Sequence, residues 1–227
     1  MTPIFIHGAG LTPETFAAQS AEFSGSHAPA LPGHDSPDSG ASIGDFAQFI
    51  ETYVEEEALH DVALCGHSMG GAVALETALR GRIALGGLVL IGSGARLRVS
   101  PAILQQIEDD FESAVATIAR FFFADPAPER LEWVTSLMRR VGKEQSSRDF
   151  RACDAFDALA RLGELTVPLL AITGDSDVMT PPKFAQSFAD RVAGAQARIL
   201  PGAGHLAMVE QAAETNAVIR AFLSRIP

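Results

Sequence analysis

The residues best suited to chemistry are a serine, a histidine and an aspartate spread over most of the chain. Ser68 stands in Gly66-His67-Ser68-Met69-Gly70, His205 follows Pro201-Gly202-Ala203-Gly204, and two carboxylates lie in Gly174-Asp175-Ser176-Asp177. A serine hydroxyl attacks a carbonyl only when a neighbouring imidazole accepts its proton, and a carboxylate is needed to orient that imidazole. The order Ser, acid, His is one of several in which such a trio occurs. Asp177 is the favoured acid, because a glycine precedes it by three residues and a proline follows it by four; Asp175 then braces the turn. His67 and His7 read as local packing or hydrogen-bonding residues.

Attack on a carbonyl also requires two N–H donors for the oxygen that becomes negative, each worth roughly 10²–10³ in rate. Met69, directly after the serine, supplies one. The glycine-rich turn His7-Gly8-Ala9-Gly10 supplies the other, through the N–H of Ala9.

The elements around these residues explain how they could converge. The apolar runs 3–6, 61–65, 88–91, 168–173 and 197–200 read as strands, with a further short strand at 27–31 before the loop 32–37. Helical periodicity marks 12–23, the segment behind an N-cap at Ser42, 69–80, 182–192 and 206–225. In the helix after Ser42, Phe46, Phe49, Ile50 and Tyr53 share one face, and Glu51, Glu55 and Glu56 the other. Alternating strands and helices imply an α/β fold with a mostly parallel sheet covered on both faces. Every proposed site residue then falls just past the carboxyl end of a strand. Between 96 and 162 the alternation stops, leaving helical signals at 103–119, 129–141 and 148–162. The expected organisation is a core of 1–95 and 163–227 with a helical cap inserted at 96–162.

Composition narrows the partners. The 227 residues carry a net charge of -11, with 28 acidic and 17 basic side chains. That surface repels nucleic acid and anionic membranes. No cofactor or metal is expected: Cys65 and Cys153 have no ligand-like spacing, and Cys65 ends an apolar run as a buried thiol. Neither a leader peptide nor a membrane span is evident, so a cytoplasmic monomer or homodimer is the expectation.

Taken together, HGAG, LPGHDS, GHSMGG, GDSDVMTPP and GAGH resemble the α/β-hydrolase superfamily, most of all its capped esterases, lipases, C–C bond hydrolases and perhydrolases. The resemblance implies the cap at 96–162, Ala9 and Met69 as oxyanion donors, and a sheet of about six strands, lacking the antiparallel edge strands relatives carry. Apolar cap residues imply an apolar substrate; Phe121, Phe122, Trp133, Leu137 and Met138 are the proposed lining, with Phe123 and Phe156 also available and Arg96, Arg120 or Arg151 within consideration for a carboxylate. The expected reaction is hydrolysis of a small to medium carboxylic ester through an acyl-enzyme. C–C or thioester cleavage, or a non-catalytic receptor of the same fold, are the alternatives.

Overall fold

A computed structural model describes residues 1–35 and 40–226. Five strands, β1 (Thr2–Ile6), β2 (Val62–His67), β3 (Leu85–Ile91), β4 (Leu169–Gly174) and β5 (Gln196–Leu200), pair in the order β1-β2-β3-β4-β5. All four pairings are parallel. Strands β2 and β4 are buried along their full length, as sequences without polar alternation must be when both faces are covered.

The sixth strand expected at 27–31 does not form. It shrinks to one bridge between His27 and Ile4, with Phe5 N donating to His27 O at 2.8 Å and His27 N to Pro3 O at 2.9 Å. Pro29 and Pro32 have no N–H to donate, which ends the ladder after a single rung. The loop expected at 32–37 begins as foreseen, while Ser36 and Pro37 lie outside the described residues.

Helices cover both faces. On one, α1 (Ala17–Glu22), preceded by a 3-10 turn at Pro13–Phe16, packs against α10 (Ala212–Leu223), and Gln19 Nε2 donates to Asn216 Oδ1 at 2.8 Å. On the other, α2 (Ile43–Glu56) packs on α3 (Met69–Arg80). Ser42 caps α2 by accepting the Asp45 N–H at 3.1 Å, as the sequence indicated. Glu51 departs from its expected solvent face. Only 4% exposed, it holds Arg80 of α3 through two bonds of 2.8 and 3.0 Å. A bidentate guanidinium partner is what makes such burial tolerable.

Residues between β3 and β4 form α4 (Pro101–Asp109), α5 (Phe111–Phe121), α6 (Pro128–Val141) and α7 (Lys143–Ala155), then a 3-10 turn at Leu159–Glu164. The helix expected over 103–119 is two helices, because Asp110 leaves helical geometry (φ -148°, ψ 84°) and its carboxylate caps α5 at Ser113 N. Likewise the last expected helix is divided at Gln211 into α9 (Ala207–Glu210) and α10. The four-helix block leaves and rejoins the sheet at adjacent points: Arg96 bridges Asp157, and Ala158 N donates to Ala95 O at 2.7 Å. Helix α8 (Lys183–Arg191) connects β4 to β5.

Strand β2 passes into α3 through a turn in which Ser68 has φ 53° and ψ -115°, a conformation that side-chain-bearing residues rarely adopt. Gly70 makes the turn possible, since a Cβ there would stand 2.1 Å from Ile6 O and 2.5 Å from His7 O. Gly70→Ala should therefore destabilise the fold by about 3 kcal/mol or more. Gly163→Ala, where a Cβ meets nothing within 4 Å, should stay within about 0.5 kcal/mol of wild type. Urea denaturation of both variants checks the contrast.

Candidate active site

Ser68 is fixed by its backbone. Its N–H donates to Ile91 O at 2.9 Å, and its carbonyl accepts from Gly71 N (2.9 Å), Ala72 N (3.2 Å) and Ser93 Oγ (2.8 Å). Strand β3 thus holds the turn from the side, while its hydroxyl is left on the wall of a cavity of about 600 Å³. His205 and Ala9 line the same cavity.

The two carboxylates differ sharply in their surroundings. Asp177 Oδ2 lies 2.9 Å from His205 Nδ1, with both side chains fully buried. Asp177 Oδ1 accepts the N–H groups of Met179 (2.9 Å) and Thr180 (2.8 Å), and the Thr180 hydroxyl donates to Oδ2 at 2.7 Å. Burial pushes the Asp177 carboxyl up, but the charge and hydrogen bond of His205, with the Thr180 donors, outweigh it and hold the group well below the usual carboxylate range. An ionised Asp177 orients the His205 ring through Nδ1 and leaves Nε2 as the outward nitrogen. That Nε2 is buried and makes no hydrogen bond in the structure. Asp175, by contrast, is exposed and accepts from Gly202 N at 2.9 Å and Ser176 Oγ at 2.9 Å, bracing the acid turn against the loop that carries His205.

His205 is positioned from three further sides. His67 Nε2 donates to the His205 carbonyl at 3.1 Å. Burial, followed by the neighbouring His205, drives the His67 pKa well below its ordinary value, so this imidazole is neutral and suited to that fixed bond. Phe122 stacks on the His205 ring, with centroids 5.9 Å apart and planes 8° from parallel. Glu210, its side chain 2% exposed, accepts Gly204 N at 2.6 Å and Ala124 N at 3.0 Å, and pairs with Arg130 of α6.

The Met69 N–H opens α3, where no partner within the helix exists for it. The turn carrying Ala9 is held from α7. Gly10 N donates to Asp149 Oδ2 at 2.8 Å, and the same fully buried carboxylate binds His34 Nε2 at 2.7 Å and Gln145 Nε2 at 2.8 Å. His7 accepts the Leu31 N–H at 3.1 Å, and its ring centroid lies 4.6 Å from that of His34 with the planes tilted by 60°. Burial, then the adjacent His34, lowers its pKa to about 3.

Of the proposed lining, only Phe121 faces the cavity. Phe122 belongs to the packing around His205 instead. Leu137 and Met138 are buried at 1% and 0% on the inner face of α6, and Trp133, half-buried, packs against the hydrophobic core, so these three do not line the cavity either. The apolar side chains of α6 are spent on attaching the block. Arg96 does line the cavity, whereas Arg151 pairs with Glu108 at 3.1 Å and Arg120 is not on the wall. Thr180, Asp149 and Glu210 were not anticipated. Only Thr180 left a trace, as a hydroxyl three residues after the acid; the other two act across more than eighty residues of sequence. Among the described residues no three His, Cys, Asp or Glu side chains gather as a metal site.

Against this geometry, comparison with known proteins is specific. The model of the alpha/beta hydrolase family matches residues 4–218, and the chain belongs to that family. The solved structure of a thermophilic esterase is similar with a TM-score of 0.89 and 30% identity, over 99% of this chain and 90% of that one. The dihydrolipoyllysine-residue acetyltransferase component of the acetoin cleaving system of Pseudomonas putida is 30% identical over 212 residues. That match takes in 86% of this chain and 55% of the relative, so the chain spans about half of its length. The AB hydrolase superfamily protein YisY of Bacillus subtilis (strain 168) is 23% identical over 241 residues, 96% of this chain and 90% of that protein. No helix among the described residues is long and apolar enough to cross a membrane.

Two predictions follow from the buried network. Asp149→Ala strands three buried donors and should cost about 3 kcal/mol or more in urea denaturation, whereas Asp149→Asn, which keeps an acceptor oxygen, should cost less. His7 and His67 are neutral when folded but bind protons near pH 6.5 when unfolded. The unfolded chain therefore takes up more protons, and stability should fall as pH drops below about 6.5, steepening toward about 2.7 kcal/mol per pH unit for two groups. His7→Gln should reduce that slope by about one proton; a profile flat from pH 7 to 5 contradicts the burial argument.

Proposed function

We propose that this chain is a serine hydrolase that cleaves a small to medium, largely apolar carboxylic ester through an acyl-enzyme on Ser68. The 2.9 Å Asp177–His205 pair carries the reading, because His205 has an unpartnered Nε2 and lines the same cavity as the strained Ser68. The likeness to a thermophilic esterase supports ester bonds as the target.

In the reaction so read, Nε2 of His205 takes the Ser68 proton as Oγ adds to the ester carbonyl. The N–H groups of Ala9 and Met69 receive the resulting oxyanion, at the positive end of α3. His205 then returns the proton to the departing alkoxide, which leaves as the alcohol. Water, activated by the same imidazole, releases the acid and restores the serine. Asp177 stays ionised throughout and stabilises the imidazolium that forms at each step.

Residues 96–162 act as a lid in this reading. Phe121, 42% exposed at the cavity wall, together with Ile103, Ile118 and Leu159, gives the substrate an apolar bed. Cys153, also on the wall, plays no nucleophilic part: burial, followed by Asp149 and Asp154, raises its pKa far above the range in which a thiolate forms.

A panel of p-nitrophenyl esters tests the activity, and negligible turnover at every chain length counts against it. Ser68→Ala should lower kcat by about 10⁴–10⁶. Asp177→Asn should lower it by about 10³–10⁴, through the wrong imidazole tautomer. Asp175→Asn should keep most of the activity and lower the melting temperature; the reverse pattern overturns the assignment. A fluorophosphonate probe should label Ser68, which a receptor without an activated serine does not allow.

A further inference from the structure

The cavity wall does not share the charge of the chain. Acidic side chains outnumber basic ones 28 to 17 overall, yet the lining holds Arg96, Arg98, Lys183 and Arg191 and no Asp or Glu. Resting on the hydrolase reading above, we propose that the substrate is an ester whose portion remote from the scissile bond ends in an anion, a carboxylate or a phosphate, held by these four cations.

Two elements supply them. Arg96 and Arg98 lie on the strap leaving β3, with Asp157 3.7 Å from each. At that distance one half-exposed carboxylate is shared loosely by two guanidinium groups, which leaves donors for a further anion. Arg98 also donates to the Asp154 carbonyl, and the Asp154 side chain is occupied by Val99 N at 3.1 Å. Lys183 and Arg191 begin and end α8, and with Ser187 they fall at i, i+4 and i+8, the spacing of one helix face. Neither forms an ion pair among the described residues. Lys183 Nζ instead lies 5.9 Å from the Phe184 ring centroid.

Much of the rest of the wall is apolar, with Leu97, Ile103, Phe121, Phe150 and Phe188 among its residues. An apolar body with a charged end is the ligand that such a cavity complements. The cations also supply attraction to an anionic substrate that the surface as a whole would repel, an effect that salt weakens because the side chains are near water.

The test compares p-nitrophenyl hemiesters of adipic and suberic acid with the corresponding neutral methyl p-nitrophenyl diesters. The hemiesters should be favoured in kcat/KM by about tenfold or more at low salt, with the preference shrinking toward unity at about 1 M salt. Lys183→Glu with Arg191→Glu should abolish the preference, and Lys183→Arg should retain it. Competition by suberate and by octyl phosphate shows whether carboxylate or phosphate is the better fit. Turnover of the neutral diesters with no preference for the hemiesters, or a preference that the double variant leaves unchanged, overturns the proposal while the hydrolase reading stands. If neither ester is cleaved, the hydrolase reading fails, and calorimetry with the monoamide of suberic acid against its neutral methyl ester decides the anion site: tighter binding of the acid upholds it, and equal binding overturns it.

Discussion

The turn at Ser68 sets the terms for the rest of the molecule. A serine at φ 53° costs of order 1–3 kcal/mol and persists only when its surroundings allow no alternative. Here β3 accepts its N–H, Ser93 holds its carbonyl, and Gly66, Gly70 and Gly71 let the start of α3 close on the ends of β1 and β2. A Cβ at Gly66 would lie 2.1 Å from Gly70 O, and one at Gly71 would lie 2.5 Å from Ser93 Oγ. The contacts that strain the serine also aim the helix N-terminus at the space in front of it. Position, strain and electrostatics therefore arise from one arrangement of backbone.

Around that turn, buried polar groups form two connected systems. One runs from Asp177 through His205 to the carbonyl bond with His67, and Thr180 closes it at the acid end. The other joins Asp149, His34 and Gln145 to the turn that carries Ala9. Glu210 adds a third tie, from the His205 loop to the start of α6. Each system includes a carboxylate that would be costly to bury alone, and the donors it collects fix its neighbours in return. The helical block is thereby fastened to both the His205 loop and the Ala9 turn. Its packing and the geometry of the site cannot vary independently.

The cavity combines the two halves of the fold. The sheet and its loops provide Ser68, His205 and Ala9, while α4, α5, α7 and α8 provide Ile103, Ile118, Phe121, Phe150 and Phe188 for the apolar wall. Because α6 uses its apolar face to attach the block, the rings and side chains facing the cavity come from the neighbouring helices.

Local sequence was enough for everything that depends on neighbours along the chain. The glycines flanking Ser68, the apolar runs of the strands and the Ser42 cap each act within a few residues, so the α/β architecture and the turns that hold Ser68, Asp177 and His205 at strand ends were all legible. The sixth strand fails for an equally local reason, two prolines that have no N–H to give to a ladder. What the sequence could not disclose is pairing across distance. Glu51 is buried because Arg80 reaches it from another helix, Asp149 finds Gly10 across 139 positions, and Phe122 meets His205 instead of the cavity. A side chain's partner depends on how helices are set against the sheet, and that is fixed by the packing of the whole core, which no single segment encodes.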